Sequence, residues 1–427
     1  MPTSKIKNTN TPALRFKGFE GVWTKQTLGA VTAKSMYGMN AAAIPYDGIN
    51  KYLRITDIDD NSRTFNANSI TSPNGEIEDK YKLKKGDIVF ARTGASVGKT
   101  YLYNEKDGNL LFAGFLIKFG LVNVNSYFVF AQTRRSNYNK WVKKMSMRSG
   151  QPGINMEEYK ELPIYTPSLP EQNKIGSFIQ LIDERIATQI KIIEELQLLM
   201  VELSKKIFSR QIRFKEENGE NFPEWQKKFF GDVYTFKVTN SFSRDNLTYE
   251  NGAVRNIHYG DIHTKFSEHF DLNKEQVPFI KEEISLDSIK ADAYCQEGDL
   301  VFADASEDLT DVGKCIEITN LHQEKTLAGL HTLLARPKLS IIHKGFGVYM
   351  MKSKTVRKQI MKLAQGSKVS SISSTVLSSI SISIPYIKEQ KKIGSLFSDI
   401  SQKIDCEKRI LQQYNIQKKY LLSNLFI

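Results

Sequence analysis

The feature that most constrains this chain is a helical seam. Ile175, Ile179, Ile182, Ile186, Ile193, Leu196, Met200, Leu203 and Ile207 recur at alternating four- and three-residue steps, with Gln189 as the polar residue in register. That spacing predicts a coiled-coil helix. From Glu171 to Ile207 it would run on the order of 55 Å at about 1.5 Å per residue, too long and one-sided for an ordinary core helix. Such a helix requires a partner, and the chain supplies one. Glu389, Gln390, Lys392, Ile393 and Gly394 repeat Glu171, Gln172, Lys174, Ile175 and Gly176, and Ile393, Phe397, Ile400, Ile404, Leu411, Tyr414, Leu421 and Leu425 keep the register. Glu407 and Lys418 interrupt it, and polar positions of this kind fix register at some cost in stability. An antiparallel pair within one chain is expected, because a parallel pair would place both flanking domains at one end.

The same duplication runs through the rest of the sequence. Arg15, Phe16, Trp23, Leu28 and Gly29 are answered in order by Arg213, Phe214, Trp225, Phe230 and Gly231. Tyr52 to Ile58 is matched loosely by Val254 to Ile262, each reading as a strand that enters a turn. The clearest repeat is Gly86-Asp87-Ile88-Val89-Phe90-Ala91 with Gly298-Asp299-Leu300-Val301-Phe302-Ala303, and Phe112 to Phe115 pairs with Leu327 to Leu330. Each half then carries one amphipathic helix, with Phe128, Ala131, Tyr138, Val142 and Met145 on its apolar face in the first and Tyr349, Val356, Ile360 and Leu363 in the second. The offset grows from 202 at the tryptophans to 218 at Glu171 and Glu389, so the halves differ by small loop insertions. A period near 200 residues is a whole domain plus a helix, not a solenoid repeat of roughly 20–50 residues. The fold class expected is α+β: two pseudo-repeated strand-rich domains separated by two long helices packed as an antiparallel coiled coil. The divisions are a flexible tail at 1–12, domains at 13–169 and 211–387, and helices at 170–210 and 388–427.

Composition narrows the function. With 427 residues, 40% of them hydrophobic, the chain can bury substantial cores. It has neither a long apolar run nor the apolar core of a signal peptide near its start, so a cytoplasmic location without membrane contact is expected. Three widely spaced cysteines offer neither a disulfide framework nor a zinc pair. A formal charge of +13 favours a polyanionic partner, with nucleic acid leading. Gly94 to Thr100 has one residue too few between its glycines for a P-loop and runs on into a strand rather than a helix. Gly345-Phe346-Gly347 lacks the third glycine of a dinucleotide fingerprint. The six histidines show no metal spacing, and no nucleophile elbow or paired carboxylates stand out. The chain reads as a recognition component rather than an enzyme.

Loop chemistry suggests where DNA would be met. The turn after the Asp87 strand gathers Arg92, Thr93, Ser96 and Lys99, small or cationic residues suited to phosphates or base edges. The polar loop from Met147 to Asn155 carries Arg148, Ser149, Gln151 and Asn155; Arg can pair with guanine, and Gln or Asn with adenine, in the major groove. Tyr37 and Asn40 precede them. In the second half the candidates are His258, Asp304, Lys314, Lys368 and Ser370, with Asp304 standing where the first half has Arg92. Substitutions at Arg92 or Arg148 are expected to affect one half of a DNA target, and changes at Lys368 the other.

Taken together, Leu14 to Trp23, Tyr52 to Ile58, Gly86 to Gly94 and the twice-used Pro-Glu-Gln helix entry resemble the specificity subunit of type I restriction-modification systems, over essentially the whole chain after its tail. The second helix entry, Pro385 to Gln390, has one extra residue. The resemblance implies two target recognition domains, each reading one half of an interrupted double-stranded DNA site, held by conserved helices. Those helices would set the gap and dock partners through faces outside the seam. The implied partners are two modification subunits, which use S-adenosylmethionine to methylate adenine, and two restriction subunits, which use ATP and Mg. The chain itself would hold no cofactor or metal and perform no catalysis; it lacks the Asn/Asp-Pro-Pro-Tyr/Phe signature of adenine methyltransferases. The alternative from a different class is a non-enzymatic coiled-coil adaptor with basic heads.

Overall fold

A strand buried on both faces reads as an unbroken apolar run, and the two runs at Ile88–Ala91 and Leu300–Ala303 lie at the centres of two sheets. The computed structural model describes residues 10–147, 150–366 and 368–427. These form two compact units, one extending to Lys191 and completed by Lys408–Ile427, the other spanning Ile192–Glu407.

In the first unit a four-stranded antiparallel sheet runs in the order Thr32–Tyr37, Leu116–Leu121, Asp87–Ala91, Thr100–Leu102. Alternate side chains of the Asp87 strand serve two cores. Ile88 and Phe90 join Phe119, Phe128, Tyr159 and Trp23, while Val89 and Ala91 join Leu53, Leu110, Phe112 and Leu116. A parallel pair, Lys51–Leu53 with Leu110–Phe112, closes the second core. The second unit repeats this with a five-stranded sheet ordered Tyr234–Lys237, Thr332–Pro337, Leu300–Ala303, Cys315–Asn320, His269–Asp271. Here the parallel pair is Arg255–Ile257 with Thr326–Ala328.

One expectation is corrected in both units. The single amphipathic helix predicted for each is a pair: Ser126–Gln132 and Ser136–Met145 in the first, Gly347–Lys352 and Lys354–Leu363 in the second. In the first, the Thr133 hydroxyl donates back to the Phe130 carbonyl and Arg135 is extended at φ −99°, ψ 158°, which ends one helix and starts the next. In the second, Ser353 makes the same break at φ −57°, ψ 142°.

The long helices are Leu169–Phe208 and Ile387–Asn424. Within the first unit Lys418 is ion-paired with Asp183, and Arg185 Nε donates to Tyr414 Oη at 3.1 Å, so the two helices run in opposite directions. Asp183 also accepts from Tyr127 Oη at 2.6 Å, which gives the buried polar interruption at Lys418 a half-buried counter-charge tied to the domain. Within the second unit the Phe208 and Phe397 rings stack at 6.5 Å and Ile207 and Ile393 share one core. Ile175, Ile179, Ile193, Ile404 and the buried Gln189 lie along the seam, with Ile182, Ile186, Leu196, Ile400 and Leu411 half-buried.

Each helix start is fastened to its own unit by one repeated clasp. Glu171 is buried and receives Arg15 Nε and Nη2 at 2.8 and 2.7 Å; Glu389, also buried, receives Arg213 at 3.2 and 2.9 Å. The next residue completes it. Gln172 accepts from Asn125 N and donates to Pro167 O, and Gln390 accepts from His343 N and donates to Pro385 O. Both glutamines reach a proline carbonyl five residues earlier, so Pro167 rather than Pro170 is the counterpart of Pro385, and the extra residue expected in the second entry is not there.

Candidate nucleic-acid interface

The turn that leaves the central strand is held by main-chain hydrogen bonds, and the bonds are the same in both units. In the first, Ala91 N donates to Lys99 O at 2.8 Å and Gly98 N to Ala91 O at 3.0 Å, closing the turn. Arg92 N donates to Phe115 O at 3.0 Å and Arg92 O accepts from Ile154 N at 2.9 Å. In the second, Ala303 N donates to Lys314 O at 2.9 Å, Gly313 N to Ala303 O at 3.1 Å, Asp304 N to His331 O at 3.1 Å, and Asp304 O accepts from Ile372 N at 2.8 Å. Arg92 and Asp304 are therefore structural equivalents, as are Phe115 and His331, and Lys99 and Lys314. Gly98 has φ +85° and a Cβ there would meet Val142 Cγ1 at 2.6 Å, so the turn needs glycine.

The side chains on this shared frame differ. The Arg92 guanidinium lies 5.1 Å from the centre of the Tyr37 ring and 6.0 Å from that of Phe115. Its Nε is buried and has no hydrogen-bond partner among the described residues. Phe115 is 60% and Tyr37 37% exposed, so the cation is flanked by rings that face solvent. Thr93 bridges Gly153 and Gly94 N donates to Pro152 O at 3.0 Å, which brings the loop carrying the exposed Gln151 alongside. Asn40 is exposed just beyond the Tyr37 strand, and Ser96 is half-buried in the turn. In the second unit the Asp304 carboxylate lies 3.3 Å from His331 Nδ1, an ion-pair distance without hydrogen-bond geometry, because Oδ1 is unbonded. Burial raises the Asp304 pKa, and His331 opposes the shift. Tyr259 meets the His331 ring edge-on at 5.4 Å. Ser370 and Ser371 pair with Ser306 and Ala305 as a short ribbon, and Lys368 is exposed at its approach.

Four candidates have internal work instead. Lys99 is buried, with Nζ on Ile58 O at 3.0 Å and beside Asp60 at 2.5 Å, and its equivalent Lys314 donates to His263 O at 2.8 Å. Both ammonium groups tie the turn to a backbone carbonyl of an earlier segment, Ile58 O in one unit and His263 O in the other. Asn155 caps the helix Met156–Lys160 by accepting from Glu158 N at 2.9 Å. His258 caps Tyr259–Thr264 by accepting from Gly260 N on Nδ1 at 3.1 Å; burial, then Arg244, lowers its pKa and favours the neutral acceptor. Arg148 and Ser149 lie outside the described residues. Phe115 and His331 were missed by sequence reasoning; the available signal was a bulky residue immediately or shortly after the repeated Ala-Gly turn. Among the described residues no cluster of His, Cys, Asp and Glu could hold a metal, and no helix is long and apolar enough to cross a membrane.

Comparison with known proteins bears directly on this duplicated frame. The family described as type I restriction modification DNA specificity domain matches twice, at residues 37–198 and 223–415. The chain belongs to that family. Each matched stretch contains one copy of the frame and most of one long helix. Among curated members of this specificity-subunit group, the type I restriction enzyme MjaVIII specificity subunit of Methanocaldococcus jannaschii is 24% identical over 356 residues, covering 80% of this chain and 79% of that protein. The MjaX specificity subunit of the same organism is 23% identical over 359 residues, covering 81% and 79%. The crystal structure of a type I restriction-modification S subunit from M. genitalium superposes with a TM-score of 0.61 at 17% identity, covering 98% of this chain and 99% of that one. A chain from a study of complex assembly and conformational transition of the type I system gives 0.52 at 15% identity, covering 95% and 97%. The fold expected from the sequence, two pseudo-repeated units and paired long helices, is the specificity-subunit fold.

Proposed function

We propose that this chain is the DNA-specificity subunit of a type I restriction-modification complex, with each strand-rich unit reading one half of an interrupted double-stranded site. The observation that carries the reading is the duplicated frame: identical main-chain bonding presents arginine between two rings in one unit and aspartate beside histidine in the other. Two similar scaffolds with different chemistry suit two unlike half-sites. The net charge of +13 supplies the phosphate attraction on which base reading rests. Catalysis belongs to the partners in this reading: two modification subunits with S-adenosylmethionine and two restriction subunits with ATP and Mg, docked along helix faces outside the seam. The long helices set the unread gap between the half-sites.

The deciding experiment is to co-express the chain with its modification subunit and map methylated adenines. A bipartite motif with a fixed gap is expected. The complex should also bind DNA less tightly as salt rises, because phosphate contacts release counterions. Sequence-blind binding that ignores salt would favour the coiled-coil adaptor instead.

A further inference from the structure

The equivalence of Arg92 and Asp304 takes the recognition reading down to single side chains, and the roles of these two residues rest on that reading. Both sit at the mouth of the turn and both have N–H and C=O groups fixed by main-chain partners on two sides, Phe115 and Ile154 for one, His331 and Ile372 for the other. The backbone is thus committed at these positions while the side chain remains free to present a group. At Arg92 that group is a planar fork of donors. The Tyr37 and Phe115 rings hold it by cation–π contact, and its Nε has no partner among the described residues. A stacked guanidinium is pre-organised, so little rotamer freedom is lost when it meets a pair of acceptors. In the major groove the adjacent acceptors O6 and N7 belong to guanine. At Asp304 the polarity is inverted. The carboxylate is about a quarter exposed beside His331, which is about half exposed. The donor it suits is an exocyclic amine, N4 of cytosine or N6 of adenine.

We propose that Arg92 and Asp304 are the specificity-determining residues of two equivalent base-reading positions of opposite hydrogen-bond polarity: Arg92 donates to a guanine in one half-site, and Asp304 accepts from the major-groove amine of a cytosine or adenine in the other. Tyr37 and Phe115 are positioning residues for the first, and His331 for the second.

Selection from duplexes randomised over both half-sites, using the complex of the full chain with its modification subunit, tests this. If the native complex selects no bipartite consensus, the specificity-subunit reading itself fails and the proposal with it. Given a consensus, Arg92→Gln should relax one guanine position in one half-site, lowering discrimination there by about tenfold to a hundredfold and admitting adenine. Asp304→Asn should relax one position of the other half-site, and the base lost there tells cytosine from adenine. All remaining positions should keep their preference. Arg92→Lys keeps the cation over the rings but not the fork, so it should retain binding and lose the guanine preference. Uniform weakening at every position would make Arg92 a phosphate contact. Unchanged consensus sequences, or both variants acting on the same half-site, would also overturn the assignment. So would unfolding of the complex in Arg92→Gln and Arg92→Lys alike, which would make Arg92 a packing residue.

Discussion

Replacing Glu317 by Gln isolates a titration built into the second unit. Glu317 lies on the strand Cys315–Asn320, fully buried, with its carboxylate facing the start of the helix Gly347–Lys352. Val348 N donates to it at 3.0 Å and Gly345 N donates to its other oxygen. Burial raises its pKa to about 7, against the opposing effect of those N–H groups and of Lys344. The folded chain therefore keeps a proton that the unfolded chain, with an ordinary value of 4.5, has released. Between those two values the unfolded state binds fewer protons, so stability is fully present below pH 4.5 and declines until pH passes about 7. At about 1.4 kcal/mol per unit, the loss between about pH 5 and about pH 8 is roughly 2–3 kcal/mol. Gln mimics the protonated acid and cannot ionise. Urea unfolding of the full chain followed by the fluorescence of Trp225, with Trp23 and Trp141 replaced by Phe in both proteins, should give a native-minus-variant difference that shifts by that amount across the range. A difference constant with pH would refute the assignment of this titration to Glu317.

Three further outcomes are expected. Arg213→Ala leaves the buried Glu389 carboxylate without its bidentate partner, with Trp225 Nε1 at 3.3 Å as a remaining donor, and should cost about 3 kcal/mol in urea unfolding; a loss below about 1 kcal/mol would mean that water replaces the guanidinium. Lys99→Ala removes a buried ammonium bonded to Ile58 O and Asp60, and should lower stability by about 1–3 kcal/mol while leaving the selected DNA consensus unchanged. A changed consensus with native stability would return Lys99 to the interface. Inserting four residues into the first long helix adds roughly 6 Å of rise, and the methylation map should show a gap longer by one or two base pairs. An unchanged gap would leave the helices as tethers only.

The seam and the duplication were legible because both are written in local spacing: heptad steps survive as a pattern, and Glu171-Gln172 against Glu389-Gln390 survives as a repeated phrase. The clasp of Arg15 on Glu171 was not legible, since its members are 156 residues apart. The broken amphipathic helices escaped because apolar periodicity continues across Thr133–Arg135 and Ser353, where only backbone angles report the break. Lys99 misled because a Gly-Lys-Thr turn reads as exposed, whereas the long stem carries its charge inward to Ile58 O. Arg92 was legible as a cation in a tight turn; its two flanking rings come from strands and loops whose register is set only by tertiary pairing.

The clasp of the main chain around residues 92 and 304 has a consequence for how such a protein can change. A peptide hydrogen bond is indifferent to the residue it belongs to, proline excepted. The four bonds that secure these two positions therefore survive almost any substitution, while what is displayed to a ligand changes completely. On the proposed reading, selectivity at the two sites can change while these main-chain bonds persist. On that reading, drift there alters preference with the backbone frame kept, and each half diversifies independently of the other.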